Sequence, residues 1–317
     1  MPDRAFYSLP HVIEAQQFQR EWLEGPLFTE ARRMERIVAN GGCNILAGKI
    51  MMTVFYEPST RTRFSFESSM VKLGGNFLHT ENAKEFSSAV KGETLEDSVR
   101  VLCQYHPDVI VLRHHEEGAA ARAAKVSDGV SIINAGDGRG QHPTQALLDM
   151  YTIQKEIGFI DGIKIAMVGD LVNGRTVRSL CYLLGKFDNI FIHFVSPPCA
   201  QMKPDIKAYL ARHNIGFAES TDLSQVADRV DVIYQTRVQK ERGTMFDTND
   251  RDLGYFIVNR EILGLMKKNA IVMHPLPRVD EITPEVDRDP RAAYFRQAGN
   301  GLYVRMALLK MILAPNA

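Results

Sequence analysis

Between Ser59 and Arg63 the chain reads Ser-Thr-Arg-Thr-Arg, three hydroxyls and two guanidiniums in five residues. The run follows an apolar segment, Ile50–Phe55, and opens a helical pattern carried by Phe66, Met70 and Leu73 that stops at Gly74-Gly75. The first backbone N–H groups of a helix lack intrahelical partners and sit at the positive end of its dipole. Ser59 is a good N-cap residue. Hydroxyls and arginines added to such a turn make a cradle for a phosphate group. The competing reading is a capped helix with surface arginines. It explains less well why hydroxyl and guanidinium alternate so densely at a strand-to-helix turn.

His142-Pro143-Thr144-Gln145 is a second cluster. Pro143 suits the first helical position. His142 then lies near the cap, and Gln145, three residues on, faces the same side. The positive dipole end favours a neutral imidazole, which can donate to a carbonyl oxygen, while the Gln145 amide can accept from or donate to a polar ligand. Alone, such a histidine is more often structural than catalytic. Arg113 closes the apolar run Val109–Leu112. Further on, Arg175 and Arg237 each follow a strand-like run, in Gly169-Asp170-Leu171-Val172-Asn173-Gly174-Arg175-Thr176 and Thr236-Arg237-Val238-Gln239-Lys240-Glu241-Arg242. The planar fork of arginine suits a carboxylate. In His274-Pro275-Leu276-Pro277-Arg278 the prolines fix the backbone and leave carbonyl acceptors open.

The elements that must carry these groups recur in one pattern: an apolar run, a polar or glycine-rich turn, then a helical stretch. The runs are Ile50–Phe55, Val109–Leu112, Val130–Ile133, Ile163–Val168, Ile190–Val195, Val232–Tyr234 and Ala270–Met273. Continuous β-branched runs of this kind read as strands buried on both faces of a parallel sheet. Alternation with helices implies an α/β fold, and ligands in such folds bind beyond the carboxyl ends of strands. Nearly every polar cluster above falls there. Gln145 to about Gly158 reads as a long helix, and roughly Leu302–Leu313 as a last apolar one. Gln239–Gly254 is charge-rich with few apolar anchors, a candidate mobile loop or a plain solvated one.

Composition narrows the classes. At 317 residues the chain suits two domains, and 45% hydrophobic with 24% charged residues is ordinary for a globular protein. Lys+Arg and Asp+Glu are both 38, so the net charge is +0, which argues against nonspecific nucleic-acid binding. No apolar run approaches the roughly 18 residues of a membrane helix. Cys43, Cys103, Cys181 and Cys199 form no Cys-x-x-Cys pair and no zinc spacing. Scattered cysteines, and a start at Met1-Pro2-Asp3-Arg4 without an apolar signal core, point to a reducing compartment such as the cytoplasm.

Ser59-Thr60-Arg61-Thr62-Arg63 resembles the carbamoyl-phosphate signature of the aspartate and ornithine transcarbamoylases, and the resemblance runs in order from about Phe55 to Leu313. It implies two doubly wound parallel-sheet domains linked by long helices. Residues 1–150 would bind carbamoyl phosphate, with a C-terminal helix at about 300–317 packing back on them, and 151–299 would bind the second substrate. Carried over residue by residue, Arg61, Thr62, Lys91, Arg113 and His142 would be catalytic. Carbamoyl phosphate would be held by Ser59, Thr60, Arg61, Thr62, Ser87, Arg113, His142, Gln145 and the Pro275-Leu276-Pro277 segment. Arg175 would take an α-carboxylate and Arg237 with Gln239 a side-chain carboxylate, joined by Lys91 and Leu276. That pattern, and Pro275 where ornithine enzymes typically carry cysteine, favours aspartate over ornithine as acceptor, so the expected product is N-carbamoyl-L-aspartate on the route to pyrimidines.

The resemblance implies neither metal nor organic cofactor. Ser87 and Lys91 would reach a neighbouring subunit's site, hence a homotrimer with shared active sites. At Val172-Asn173 the loop is less basic than in some bacterial relatives. Glu81–Ser87 and Asp289–Arg296 look like the plant-type enzymes and similar bacterial ones, which adds the plastid stroma as a compartment for a plant-type chain and leaves regulatory chains and direct feedback by UMP open. The first fifty residues are expected to build helices on the first domain. A transcarbamoylase for ornithine or a related amine is the nearest rival. A Rossmann oxidoreductase would need Gly-x-Gly-x-x-Gly after Val168, which is not there. A noncatalytic homologue would have lost ligands, and none of the expected ones is missing.

Overall fold

A computed structural model describes residues 9–81, 83, 92–237 and 256–317. Ser87, Lys91, Gln239 and the charge-rich stretch 239–254 lie outside the described residues. The chain divides into two compact units, Met1–Leu147 with Asn300–Ala317, and Leu148–Gly299. Each is built on its own parallel sheet.

The first unit holds β1 (Ile50–Phe55), β2 (Asn76–Glu81), β3 (Val109–His114) and β4 (Ser131–Asp137), in the order β2-β1-β3-β4. All pairings are parallel. The inner strands are almost wholly buried, as their unbroken apolar runs require. Against one face pack Val99 and Cys103 of the helix Leu95–Cys103, and Ala119, Ala120 and Ala123 of the helix Ala119–Lys125. Small alanines let that short helix lie close to the sheet. Near the N-terminus, Val12 pairs with β4: its N–H donates to Ile132 O at 2.8 Å, and Asn134 N–H donates back to its carbonyl at 2.7 Å. The early residues therefore contribute an extension of the sheet as well as the helix Phe28–Ala39.

The second unit holds β5 (Lys164–Val168), β6 (Phe191–Val195), β7 (Gly216–Ser220), β8 (Val232–Gln235) and β9 (Ile271–Met273), in the order β7-β6-β5-β8-β9, again all parallel. Its core gathers Val168, Val195, Ile233, Val258, Val272, Val286 and Tyr294.

In both sheets the chain leaves its first strand toward one edge and later resumes on the other side. The strand order reverses between β1 and β3, and again between β5 and β8. A crevice opens at such a reversal because the connections that follow the two strands diverge. The expectation of ligand groups at carboxyl ends thus sharpens to two defined places.

Three elements differ from the sequence reading. β2 and β7 are edge strands, Asn-Phe-Leu-His-Thr-Glu and Gly-Phe-Ala-Glu-Ser, with no continuous apolar run, because an edge is not buried on both faces. The last helix spans Tyr294–Leu313 and so begins eight residues before Leu302. Gly299 and Gly301 hid its first turns, although a glycine inside a packed helix costs only about 1 kcal/mol.

Candidate active site

In the first unit the reversal between β1 and β3 carries the phosphate cluster. Phe55 pairs with Arg113 across these strands, and Tyr56 N–H donates to Arg113 O at 2.8 Å. The turn after β1 therefore starts level with the end of β3. The helix Thr60–Lys72 begins at once, with Ser59 at the N-cap. Only the Ser59 carbonyl serves the helix, accepting from Arg63 N–H at 3.1 Å; its hydroxyl makes no capping bond. The expected side-chain cap is absent because Ser59 sits at φ −159°, ψ 87°. Thr62 is buried, while Thr60 and Arg61 are exposed. Arg63 lies 4.0 Å from the buried Glu67, whose carboxylate also accepts from Thr53 Oγ1 at 3.1 Å. The underside of the cradle is thereby tied to β1. The far end of this unit adds support: Arg305 donates to Ser65 Oγ at 2.8 Å, and Ser69 Oγ donates to Leu302 O at 3.2 Å.

Arg113 is held from two sides. One terminal nitrogen donates to Ala135 O at 3.3 Å, and the other lies 3.6 Å from Glu57 Oε2. The guanidinium thus stands between the turn after β1 and the end of β4. Neither Glu57 nor Ala135 was legible as its holder, since only pairing of the strands brings them together.

His142 arrives from β4 through a short loop organised by Asp137. Its carboxylate accepts from Gln141 N–H and from Gly118 N–H, both at 2.8 Å. The helix Pro143–Ile157 then starts, and the His142 carbonyl accepts from Gln145 and Ala146 N–H at 3.0 and 3.2 Å. The His142 imidazole is buried, with Nδ1 3.5 Å from Thr144 Oγ1, and Gln145 is buried beside it. So the carboxyl ends of β1, β3 and β4 carry Ser59–Thr62, Arg113 and His142–Gln145 along one edge of one sheet.

In the second unit the reversal between β5 and β8 carries Arg175 and Arg237. After β5 the loop folds around the fully buried Asp170, whose Oδ1 accepts from Asn173 N–H at 3.1 Å. Leu171 and Val172 donate to Ala200 O at 3.0 and 3.2 Å. This fixes Gly174 as the N-cap and makes Arg175, itself buried, the first residue of the helix Arg175–Leu184. Opposite, Thr236 donates twice to Val168 O, through N–H and through Oγ1, each at 2.8 Å. Gly169 sits beneath it at φ +112°, and a Cβ there would lie 2.4 Å from Thr236 O. That close approach delivers Arg237.

A cavity of about 270 Å³ opens here, lined by Gly169, Pro197, Gln235, Thr236, Arg237 and Phe256 among others. Gln235 is fully buried; its Nε2 donates to Phe256 O at 3.0 Å, and its Oε1 has no hydrogen-bond partner among the described residues.

The Pro275-Leu276-Pro277 segment follows β9. The peptide before Pro277 is cis, and Leu276 adopts φ +53°, a left-handed conformation that costs a leucine roughly 1–2 kcal/mol. Both flanks are pinned. Arg278 forms a two-pronged ion pair with Asp287, donates to Tyr294 Oη at 2.9 Å, and lies over the Tyr294 ring. On the other flank His274 N–H donates to Gln297 Oε1 at 2.8 Å. Gln297 Nε2 and Tyr234 Oη both donate to the buried Asp149, each at 2.7 Å. Burial, and then the Asp149 charge, push the Tyr234 phenol well above its ordinary range, so it stays a donor.

Comparison with known proteins gives one family over almost the whole chain. Residues 10–155 match the aspartate/ornithine carbamoyltransferase, carbamoyl-P binding domain, and residues 161–312 match the Asp/Orn binding domain of the same family. A relative named aspartate carbamoyltransferase 2, chloroplastic, from Pisum sativum is 59% identical over 309 residues, covering 97% of this chain and 80% of its own length. The catalytic subunit of Methanocaldococcus jannaschii aspartate carbamoyltransferase is 48% identical over 97% of this chain and 99% of its own length. The solved structure of the M. jannaschii catalytic subunit superposes with a TM-score of 0.89 at 48% identity, over 97% of this chain and 99% of that one. Trypanosoma cruzi aspartate transcarbamoylase in complex with N-(phosphonacetyl)-L-aspartic acid superposes with a TM-score of 0.90 at 40% identity, over 99% of this chain and 98% of that one.

Proposed function

This chain belongs to the aspartate/ornithine carbamoyltransferase family, and from that premise we propose how its residues divide the work. The protein transfers the carbamoyl group of carbamoyl phosphate to the amine of L-aspartate, giving N-carbamoyl-L-aspartate and phosphate, the reaction that feeds pyrimidine synthesis in this family. The observation that carries the choice of acceptor is the pair of arginines at the β5/β8 reversal. Aspartate brings two carboxylates, ornithine one carboxylate and an ammonium. Arg175 and Arg237, both cationic and both beyond the carboxyl ends of those strands, suit two carboxylates and disfavour an ammonium.

On this reading the phosphate rests on Ser59, Thr60, Arg61 and Thr62, at the positive start of the helix Thr60–Lys72. Arg113 spans phosphate and carbonyl oxygen. Gln145, with the backbone of Pro275, Leu276 and Pro277, takes the carbamoyl nitrogen. The neutral amine of aspartate attacks the carbonyl carbon, and negative charge grows on its oxygen. Thr62, Arg113 and His142 donate to that oxygen, and fixed donors at a developing oxyanion are usually the largest catalytic contribution. The C–O bond to phosphate then breaks, and the leaving phosphate accepts the amine proton. Arg175 holds the α-carboxylate; Arg237 and Gln239 hold the side-chain carboxylate. Most of the acceleration comes from holding two anions in register.

Ser87 and Lys91 are assigned to a neighbouring subunit's site, which makes the assembly a homotrimer with threefold symmetry. The chloroplastic Pisum sativum relative supports the plastid stroma as a compartment, with the cytoplasm as the alternative.

Arg237→Ala tests the assignment. Loss of one charge-assisted clamp should raise KM for L-aspartate by about tenfold or more, while KM for carbamoyl phosphate changes less than threefold. Equal loss for both substrates removes Arg237 from the aspartate site.

A further inference from the structure

His274 is buried at the end of β9, and both of its ring nitrogens are engaged. Nδ1 lies 2.7 Å from the backbone nitrogen of Leu276, and Nε2 lies 2.7 Å from Glu281 Oε1. A backbone N–H can only donate, so Nδ1 must be the unprotonated acceptor. The single ring proton is then on Nε2, where it meets a carboxylate. Glu281 is held in turn: Val279 N–H donates to its other oxygen at 3.0 Å. Burial alone would raise the Glu281 carboxyl. The hydrogen bonds from His274 and from the Val279 and Glu281 N–H groups outweigh it and keep the group below the usual range, hence a carboxylate.

The ring therefore closes a loop from residue 274 to the N–H two positions on, across Pro275, which has no N–H of its own. That N–H belongs to Leu276, the residue at φ +53°. Among the described residues the same arrangement recurs at the end of β3, where Glu116 N–H donates to His114 Nδ1 at 3.0 Å. There it shapes a turn; at Leu276 it fixes the Pro275–Leu276 peptide, whose carbonyl the functional reading places against the carbamoyl nitrogen.

We infer that His274, oriented by Glu281, is a positioning residue for carbamoyl transfer: its Nδ1 sets the Pro275–Leu276 peptide and so aims the Pro275 carbonyl. The inference rests on the functional reading and adds to it a residue that touches neither substrate. It makes a specific demand on chemistry. The side chain at 274 must accept a hydrogen bond from the N–H two residues on. Asparagine does this habitually, because its Oδ1 closes the same ring in an Asx turn. A phenylalanine fills the volume and accepts nothing.

The test compares His274→Asn with His274→Phe by steady-state kinetics, with wild type alongside. Thermal unfolding shows whether each is folded, and competitive inhibition by inorganic phosphate reports the phosphate cradle, which Leu276 does not touch. If His274→Phe does not fold, His274→Gln replaces it, since its longer arm overshoots the N–H. The expected result is kcat/KM for L-aspartate within about threefold of wild type for Asn and at least about tenfold lower for Phe or Gln, the scale of one aligned hydrogen bond. Inhibition by phosphate stays unchanged in both. Equal kcat/KM in the Asn and Phe variants, whether both high or both low, overturns the inference while leaving the reaction in place. A wild-type protein that makes no carbamoyl-aspartate overturns both.

Discussion

Replacing Gly169 with alanine should cost aspartate turnover without touching any group that binds aspartate. The added Cβ would stand 2.4 Å from Thr236 O and 2.8 Å from Thr236 Oγ1, whereas real contacts of this kind do not fall below 3.0 Å. The two loops must part by roughly 3.0 − 2.4 = 0.6 Å. Thr236 cannot yield alone, because both of its bonds to Val168 O hold it where it is. The displacement therefore passes to Arg237, the next residue. Alanine is also strained at φ +112°. Overpacking of this kind costs about 1–3 kcal/mol of stability, and a misplacement approaching 1 Å can cost up to about 100-fold in rate. For roughly half that shift, kcat/KM for L-aspartate should fall about 10-fold while KM for carbamoyl phosphate stays within about twofold. Steady-state kinetics with each substrate varied in turn gives the answer. A stable Gly169→Ala enzyme with unchanged aspartate kinetics would refute the argument that the β5/β8 contact places Arg237.

Other consequences can be checked as directly. Asp149→Ala orphans two buried donors, Tyr234 Oη and Gln297 Nε2, and at roughly 1–3 kcal/mol each should lower unfolding free energy by about 3 kcal/mol in urea titration; a loss below 0.5 kcal/mol would contradict that network. Burial, then the adjacent His115 ring, lower the His114 pKa to about 4. A histidine kept neutral by the fold contributes stability above its unfolded value of about 6.5 that is lost as pH falls toward 4. The wild-type pH dependence of stability in that window should therefore be steeper than that of His114→Asn, which keeps an acceptor for Glu116 N–H. Mixing inactive Lys91→Ala and Arg61→Ala subunits should restore part of the activity if sites are shared between neighbours; subunits that exchange without any recovery would speak against a composite site.

How much of this was legible in the sequence depends on how local each signal is. The parallel architecture was, because inner strands such as Val109–His114 are buried on both faces and leave unbroken apolar runs. The edges β2 and β7 were not, since half of each strand faces away from the core and looks like loop. Ser59–Thr62, His142–Gln145 and Arg175 each sit within a few residues of a strand end or helix start, so spacing marked them as candidates, while their roles came from the family resemblance. The groups that hold them are remote in sequence. Glu57 and Ala135 reach Arg113 only through strand pairing, and Asp149 reaches Gln297 across 148 positions. His274 was visible as part of a motif, yet its role depends on which ring nitrogen meets which partner. Gly169 shows the same limit, for its purpose is a contact with a carbonyl 67 residues away, which no local pattern announces.

Every role given to these residues requires that carbamoyl phosphate be spent on L-aspartate. Incubating the protein with 13C-carbamoyl phosphate and equal concentrations of L-aspartate and L-ornithine, then resolving the labelled products by mass spectrometry, tests it most directly. Labelled N-carbamoyl-L-aspartate is expected in large excess, at least about 100-fold, as when a site built for one polar group meets the wrong one. Labelled citrulline in comparable or greater amount would contradict it.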